Sequence, residues 1–224
     1  MAILANSLMQ HGENKPLSIF TANFISRCAP GEADITIENI GISKNFARWQ
    51  TGLTQNGQEK IRAFGTFINH DKGQAGKTYE ASAPLMPSPD ECVAIPEIPG
   101  YTLYSQMDAR LTPDCAGWMQ GNLSDTSEIR GWIRFRDERP LDVPAILLIA
   151  DTFPPAVFAS QGMVAWAPTI ELSVNMRHIP ETQWLRSVFR SRFISNGIAE
   201  EDGEIWDESG ELVAISRQIV RFRE

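Results

Sequence analysis

Two stretches of this chain repeat one another. In each, an apolar helix pattern is followed by β-rich runs in the same order. One fixed offset sets Ser18 against Thr169, Ile19 against Ile170, Ile25 against Met176, Ile37 against Val188, Asn45 against Asn196 and Ala63 against Ala214. Several matches at a single offset in 224 residues point to duplication of one unit. A chain of this length forms either one large domain or two small ones that share a core. A repeat selects the second. Each unit is then a helix laid across an antiparallel sheet, an α+β arrangement. Two such sheets can pair side by side, as two separate subunits would.

The first unit, 1–72, opens with a helix pattern over residues 1–10, with apolar side chains at Met1, Ile3, Leu4, Leu8 and Met9. No cap or polar lead-in precedes it. The expectation is therefore that this unit lacks strands that should come before its helix. Strand patterns follow in LSIFTANFI, ADITIENIGI, FARWQTGLTQ and KIRAFGTFI, with Asn56-Gly57 as a hairpin signal between the last two. Residues 73–100 hold Pro84, Pro87, Pro89, Pro96 and Pro99 with Gly73, Gly76 and Gly100, and read as a linker crossing a surface. The second unit, 101–224, begins with strand patterns in YTLYSQMDARL and EIRGWIRFRD. A helix is expected in LDVPAILLIADTFPPAVF, capped by Asp142 with Pro144 in its tolerant first turn. TIELSVNMR, WLRSVFRSRFIS and ELVAISRQIVRF close the sheet, with GEIWDES ahead of a turn at Glu208-Ser209-Gly210.

Charge and composition narrow the function. The net charge of −8 argues against nucleic acid, which needs a basic face. Arginines nevertheless crowd the second half from Arg130 onward, which reads either as a place for a phosphate-bearing ligand or as solvated strand faces. No run of 18 or more apolar residues indicates a membrane span, and MAILANSLMQHGENK lacks the basic start and cleavage site of a signal peptide. Cys28, Cys92 and Cys115 are far apart and in no zinc-like spacing. They read as reduced thiols of a cytoplasmic protein. His11, His70 and His178 have neither HExxH nor triad company, and no GxSxG elbow, P-loop or GxGxxG is present. No metal or cofactor is expected.

Three residues remain as candidates. Asp151 is the one charge in an otherwise apolar helix past its cap, and a buried carboxylate needs a partner or a purpose. Pro154 and Pro155 lack N–H groups, so the carbonyls of Ala150 and Asp151 lose their helical donors and the helix must kink or end. A structural bond from Asp151 to an arginine or a nearby N–H explains it as well. Gln218 shares the apolar face of the last strand with Val220 and Phe222, while Arg217, Ile219, Arg221 and Arg223 share the other. Thr169 opens its strand after Pro168, and its parity sets it with Glu171, Ser173 and Asn175 on the polar face. A carboxylate with a hydroxyl and an amide to hold water suits attack on an activated carbonyl such as a thioester.

The run GWIRFRDERPLDVPAILLIADTFPPAVF, then WAPTIELSVNMR, then FISNGIAEEDGEIWDESGELVAISRQ, resembles the acyl-CoA thioesterase II family and its thioesterase-like relatives across nearly the whole second half. The first half is similar more loosely, through LSIFTANFISRCAPGEADITIE. The resemblance implies a double hot-dog that hydrolyses medium- or long-chain acyl-CoA to free acid and CoA. It implies a catalytic Asp on the second helix, matching Asp151, a Thr or Ser at the next strand start, matching Thr169, and a Gln on the last strand, matching Gln218. Family members carry a strand region with a Gly-Gly turn before the first helix, which this chain lacks. Acyl-CoA is the expected partner, with no nucleic acid and no membrane, and sheet edges left open favour a homodimer or higher homo-oligomer. A catalytically silent acyl-CoA- or lipid-binding hot-dog is the alternative. A hot-dog dehydratase would need a histidine on the second helix, where none stands.

Overall fold

The computed structural model describes residues 1–12, 14–69, 81–97, 102–163 and 167–222. Helix α1 (Ala2–Met9) precedes β1 (Leu17–Phe24), β2 (Asp34–Ile42), β3 (Phe46–Gln55) and β4 (Gln58–Ile68). A two-residue strand β5 (Val93–Ala94), a helical turn α2 (Leu103–Gln106), β6 (Met107–Leu111) and β7 (Ser127–Phe135) lead to helices α3 (Val143–Ile149) and α4 (Val157–Gln161). Strands β8 (Thr169–Met176), β9 (Leu185–Ser191), β10 (Ile194–Ser195), β11 (Ile198–Trp206) and β12 (Leu212–Arg221) complete the chain.

All strands join one antiparallel sheet in the order β2-β3-β4-β1-β8-β12-β11-β9-β7-β6-β5, with β10 beside β11. The order reads alike in both directions from the β1–β8 seam for four strands. At that seam Thr21 faces Ser173, and their hydroxyls are 2.8 Å apart. The two sheets expected from the repeat are thus continuous. α1 and α3 lie side by side against one face, and neither is long enough to hold a helix unaided. Burial holds them instead: Leu4, Ala5, Leu8, Ile146, Leu147 and Ile149 are within one core with Phe20, Ala22, Leu172 and Val174.

The offset read from the sequence is one residue short in these strands. Phe20 and Ala22 of β1 point into the core, as do Leu172 and Val174 of β8. Side chains alternate along a strand, so an offset that sets Phe20 against half-buried Glu171 places an inner residue on an outer one. In the folded sheet Phe20 takes the place of Leu172. Leu17 likewise takes the place of Thr169, each just ahead of a bulged residue, Ser18 in β1 and Ile170 in β8.

Other expectations meet the structure as follows. Asn56 and Gly57 both have positive φ, 51° and 73°, as a two-residue hairpin turn requires. YTLYSQMDARL is strand only from Met107. Leu103–Gln106 instead form a helical turn, and Tyr104 Oη donates to the Thr152 carbonyl at 2.9 Å. WLRSVFRSRFIS breaks after Ser191, where Glu200 accepts from the N–H groups of Arg192 and Phe193 at 3.0 and 2.9 Å. The proline-rich segment is fastened to the sheet: Trp132 Nε1 donates to Pro87 O at 2.8 Å, Arg186 to Pro84 O at 3.1 Å and Arg110 to Pro89 O at 3.0 Å. Gly73, Gly76, Pro99 and Gly100 of that segment lie outside the described residues. Among the described residues no helix is long and apolar enough to cross a membrane.

Candidate active site

The site grows from the end of α3. Asp142 caps its start, accepting from Ala145 N–H at 2.8 Å. The helix ends at Ile149, and the chain tightens so that Asp151 N–H and Thr152 N–H bond the carbonyls of Leu148 and Ile149, both at 3.1 Å. Asp151 therefore stands in the turn beyond the helix rather than on it. Pro154 and Pro155 keep that turn from continuing as helix until α4.

Thr169 reaches the site through an irregularity. Parity sets it on the polar face with Glu171, but β8 carries a bulge. Glu171 pairs with Ile219 and Thr169 with Val220, leaving Ile170 unmatched. The extra residue turns Ile170 outward, 40% exposed, and brings Thr169 onto the face of Gln218. Gln218 is on the inner side of β12, between buried Ser216 and Val220.

Gln218 joins the three. Its Nε2 donates to Thr169 Oγ1 at 2.5 Å and to Asp151 Oδ1 at 3.2 Å. Because the Thr169 oxygen accepts from the amide, its own proton is free to point elsewhere. All three line one cavity of about 470 Å³ whose walls include Phe153 and Phe189, with ring centroids 5.4 Å apart, and Trp118 and Phe158, 5.5 Å apart.

A second carboxyl lines the same cavity, and the sequence reading passed over it. Glu201 of β11 is 6% exposed and stands directly across from Gln218 in the ladder. Its Oε2 accepts from Ala156 N–H at 2.5 Å. The signal was present. Ala199, Glu201, Gly203 and Ile205 alternate onto the apolar face, and Glu201 breaks that pattern as Gln218 does in β12.

Both carboxyls are harder to ionise than usual. Burial pushes Asp151 up to about 6, against the opposing pull of the Met1 amino group and the Gln218 amide. Asp151 is itself exposed where it lines the cavity, so solvent screens it even as neighbouring protein crowds it. Crowding sets the upward direction, and contact with solvent moderates it. Burial also pushes Glu201 up to about 7, with the Ala156 N–H opposing and the charge of Asp151 adding to the rise.

Several arginines of the second half are engaged by carboxylates. Arg190 pairs with Glu128 and Glu204, Arg192 and Arg217 with Asp202, and Arg110 with Asp108 and Asp90. Arg110 and Arg134 both stack on Trp184, at 5.1 and 4.5 Å from the ring centroid. Among the described residues no cluster of three or more metal-ligating side chains occurs. His11 rests against Trp49 and His178 bonds Asp207, both away from the cavity, and His70 lies outside the described residues.

Comparison with known proteins bears on this arrangement. Residues 89–222 match the family model described as the acyl-CoA thioesterase C-terminal domain, and residues 1–68 match the corresponding N-terminal domain. An uncharacterized protein of Mycobacterium tuberculosis is 26% identical over 230 residues, covering 94% of this chain and 77% of that one. Among solved structures, a protein provisionally named thioesterase II from Thermobifida fusca has a TM-score of 0.89 at 25% identity, covering all of this chain and 85% of the other. A protein of unknown function with a hot-dog fold from Alicyclobacillus acidocaldarius has a TM-score of 0.87 at 22% identity, covering 100% and 85%. An acyl-CoA thioesterase II from Mycobacterium marinum reaches 0.79 at 19%, covering 100% and 88%. The last two show a shared fold.

Proposed function

The chain belongs to the acyl-CoA thioesterase family, and from that premise we propose that it hydrolyses medium- or long-chain acyl-CoA to free fatty acid and CoA. The observation that carries the reading is the single Gln218 amide that holds both the Asp151 carboxylate and the Thr169 hydroxyl at one apolar-walled cavity. The Asp151 carboxylate accepts a proton from a water held by the Thr169 O–H. The water oxygen bonds the thioester carbon, and the acyl chain lies among Phe153, Phe158, Phe189 and Trp118. Collapse of the tetrahedral intermediate breaks the C–S bond. Ionised Asp151 is the working form, which a neighbouring amide donor favours.

The same reading takes residues 1–72 and 101–224 as two hot-dog units joined by 73–100, and the assembly as a homodimer or larger homo-oligomer. Open strand β2, which ends the sheet order among the described residues and exposes Ile35, Ile40 and Ile42, supports the last point.

The test is hydrolysis of acyl-CoA esters of graded chain length by wild type and by Asp151→Asn. Turnover by the wild type with a loss of about a hundredfold or more in the variant is expected. Equal rates remove Asp151 from its role. Tight binding of CoA esters with no turnover by either makes the protein a binding module.

A further inference from the structure

Glu201 is a carboxyl without a task in the mechanism above. It is buried, it lines the cavity that holds Asp151, and it faces Gln218 across the β11–β12 ladder. A structural role asks little of it. Its one hydrogen bond found among the described residues comes from the Ala156 N–H, and a glutamine or a water would accept that bond without the cost of burying an acid. No cation is among the influences on its ionisation. The charges that bear on it are Asp151, from the turn after α3, and Glu200, from its own strand. Both are negative, so both favour the protonated acid. Two carboxyls lining one cavity, the charge of one raising the proton affinity of the other, divide into base and acid.

We propose that Glu201, held protonated, is the general acid that delivers a proton to the departing thiolate. This rests on the thioesterase reading and adds to it a second proton-transferring group. The step balances. Asp151 takes a proton from water as the water oxygen bonds the acyl carbon. The C–S bond breaks with its electron pair leaving on sulfur, and the Glu201 O–H proton passes to that sulfur. The products are the carboxylic acid and the thiol, with Asp151 protonated and Glu201 ionised. Transfer of the proton from Asp151 to Glu201, directly or through cavity water, restores the starting state. An alkyl thiolate such as that of CoA is a basic leaving group that gains from such a proton, and an affinity near 7 supports the acid form at neutral pH.

The experiment compares two thioesters of one acyl group, an alkyl thioester and an aryl thioester whose thiolate departs unaided. Glu201→Gln keeps the shape and an acceptor for Ala156 N–H. It is expected to lose about tenfold or more in kcat on the alkyl ester and less than about threefold on the aryl ester. Glu201→Asp, which retains an acid, is expected to recover part of the alkyl activity. Equal losses on both esters, or no loss on either, overturn the acid role while leaving thioester hydrolysis intact. A wild type inactive on both overturns the hydrolase reading itself.

Discussion

Gly65 occupies in the first half of the sheet the place that Gln218 occupies in the second. Gly65 pairs with Phe20 and Gln218 with Leu172, the matching inner residues on either side of the seam. The counterpart of Thr169 is Leu17. A Cβ on Gly65 would stand 2.8 Å from Leu8 Cδ1 and 3.1 Å from Leu17 Cδ1. Where the second half has an amide, a hydroxyl and a cavity, the first has packed leucine. On the proposed reading the chemistry resides in one half, and packed leucine fills the matching place in the other.

That difference can be measured. Leu8→Ala is expected to cost about 2–5 kcal/mol of stability, as truncation of a fully buried leucine does. The activity of the protein that remains folded should keep its pH dependence. Chemical denaturation with a parallel hydrolysis assay reads both. A variant of unchanged stability would show that Leu8 does not fill the space beside Gly65.

Thr169 makes a sharper case. Its oxygen accepts from Gln218, which leaves its proton to hold the water on the proposed reading. Thr169→Ser keeps that proton and is expected to retain activity within about threefold. Thr169→Val keeps the shape and loses the hydroxyl, and a drop in kcat of about tenfold to a hundredfold is expected. Equal activity in the two variants would show that the hydroxyl does not position the water.

How legible all this is in the sequence depends on what sets each feature. The Asp142 cap, the Asn56-Gly57 hairpin and the proline-limited helix follow from local chemistry, and all three are seen where local rules place them. Gln218 and Glu201 both break a period-two apolar pattern, so both are readable from the sequence. Thr169 is different. Its face depends on the bulge at Ile170, which arises from the pairing of β8 with β12, and no window of sequence around Thr169 contains that pairing. The repeat offset slipped by one for the same kind of reason. Identity at a position such as Ile19 and Ile170 is weaker evidence than the inward face, which only the folded sheet reveals.

On the proposed mechanism the pH dependence of turnover follows from the two carboxyls. Asp151 acts ionised and is pushed up to about 6, so kcat/KM should rise through about pH 6. Glu201 acts protonated and is pushed up to about 7, so the rate should fall again above that value. A narrow bell is expected, and in Glu201→Gln the alkaline limb should be lost while the acid limb stays. A flat profile from pH 5 to 8 would contradict both assignments.

Stability should depend on pH in the opposite sense to a salt-bridged acid. Asp151 and Glu201 bind protons more tightly folded than unfolded, where carboxyls lie near their ordinary values of about 4. The folded chain thus holds more protons than the unfolded one between about pH 4 and 7, and in that window stability falls as pH rises. The stabilising contribution is full below about pH 4 and is gone once pH has passed about 6 for Asp151 and about 7 for Glu201. Neutral isosteres escape this loss. Asp151→Asn and Glu201→Gln should each melt at higher temperature than wild type at pH 8, with the advantage shrinking toward pH 4. Thermal melts of the three proteins across that range decide the matter. Variants that gain nothing at pH 8 would mean that the charges cost the fold nothing, and the reason for reading these two carboxyls as a strained functional pair would go with it.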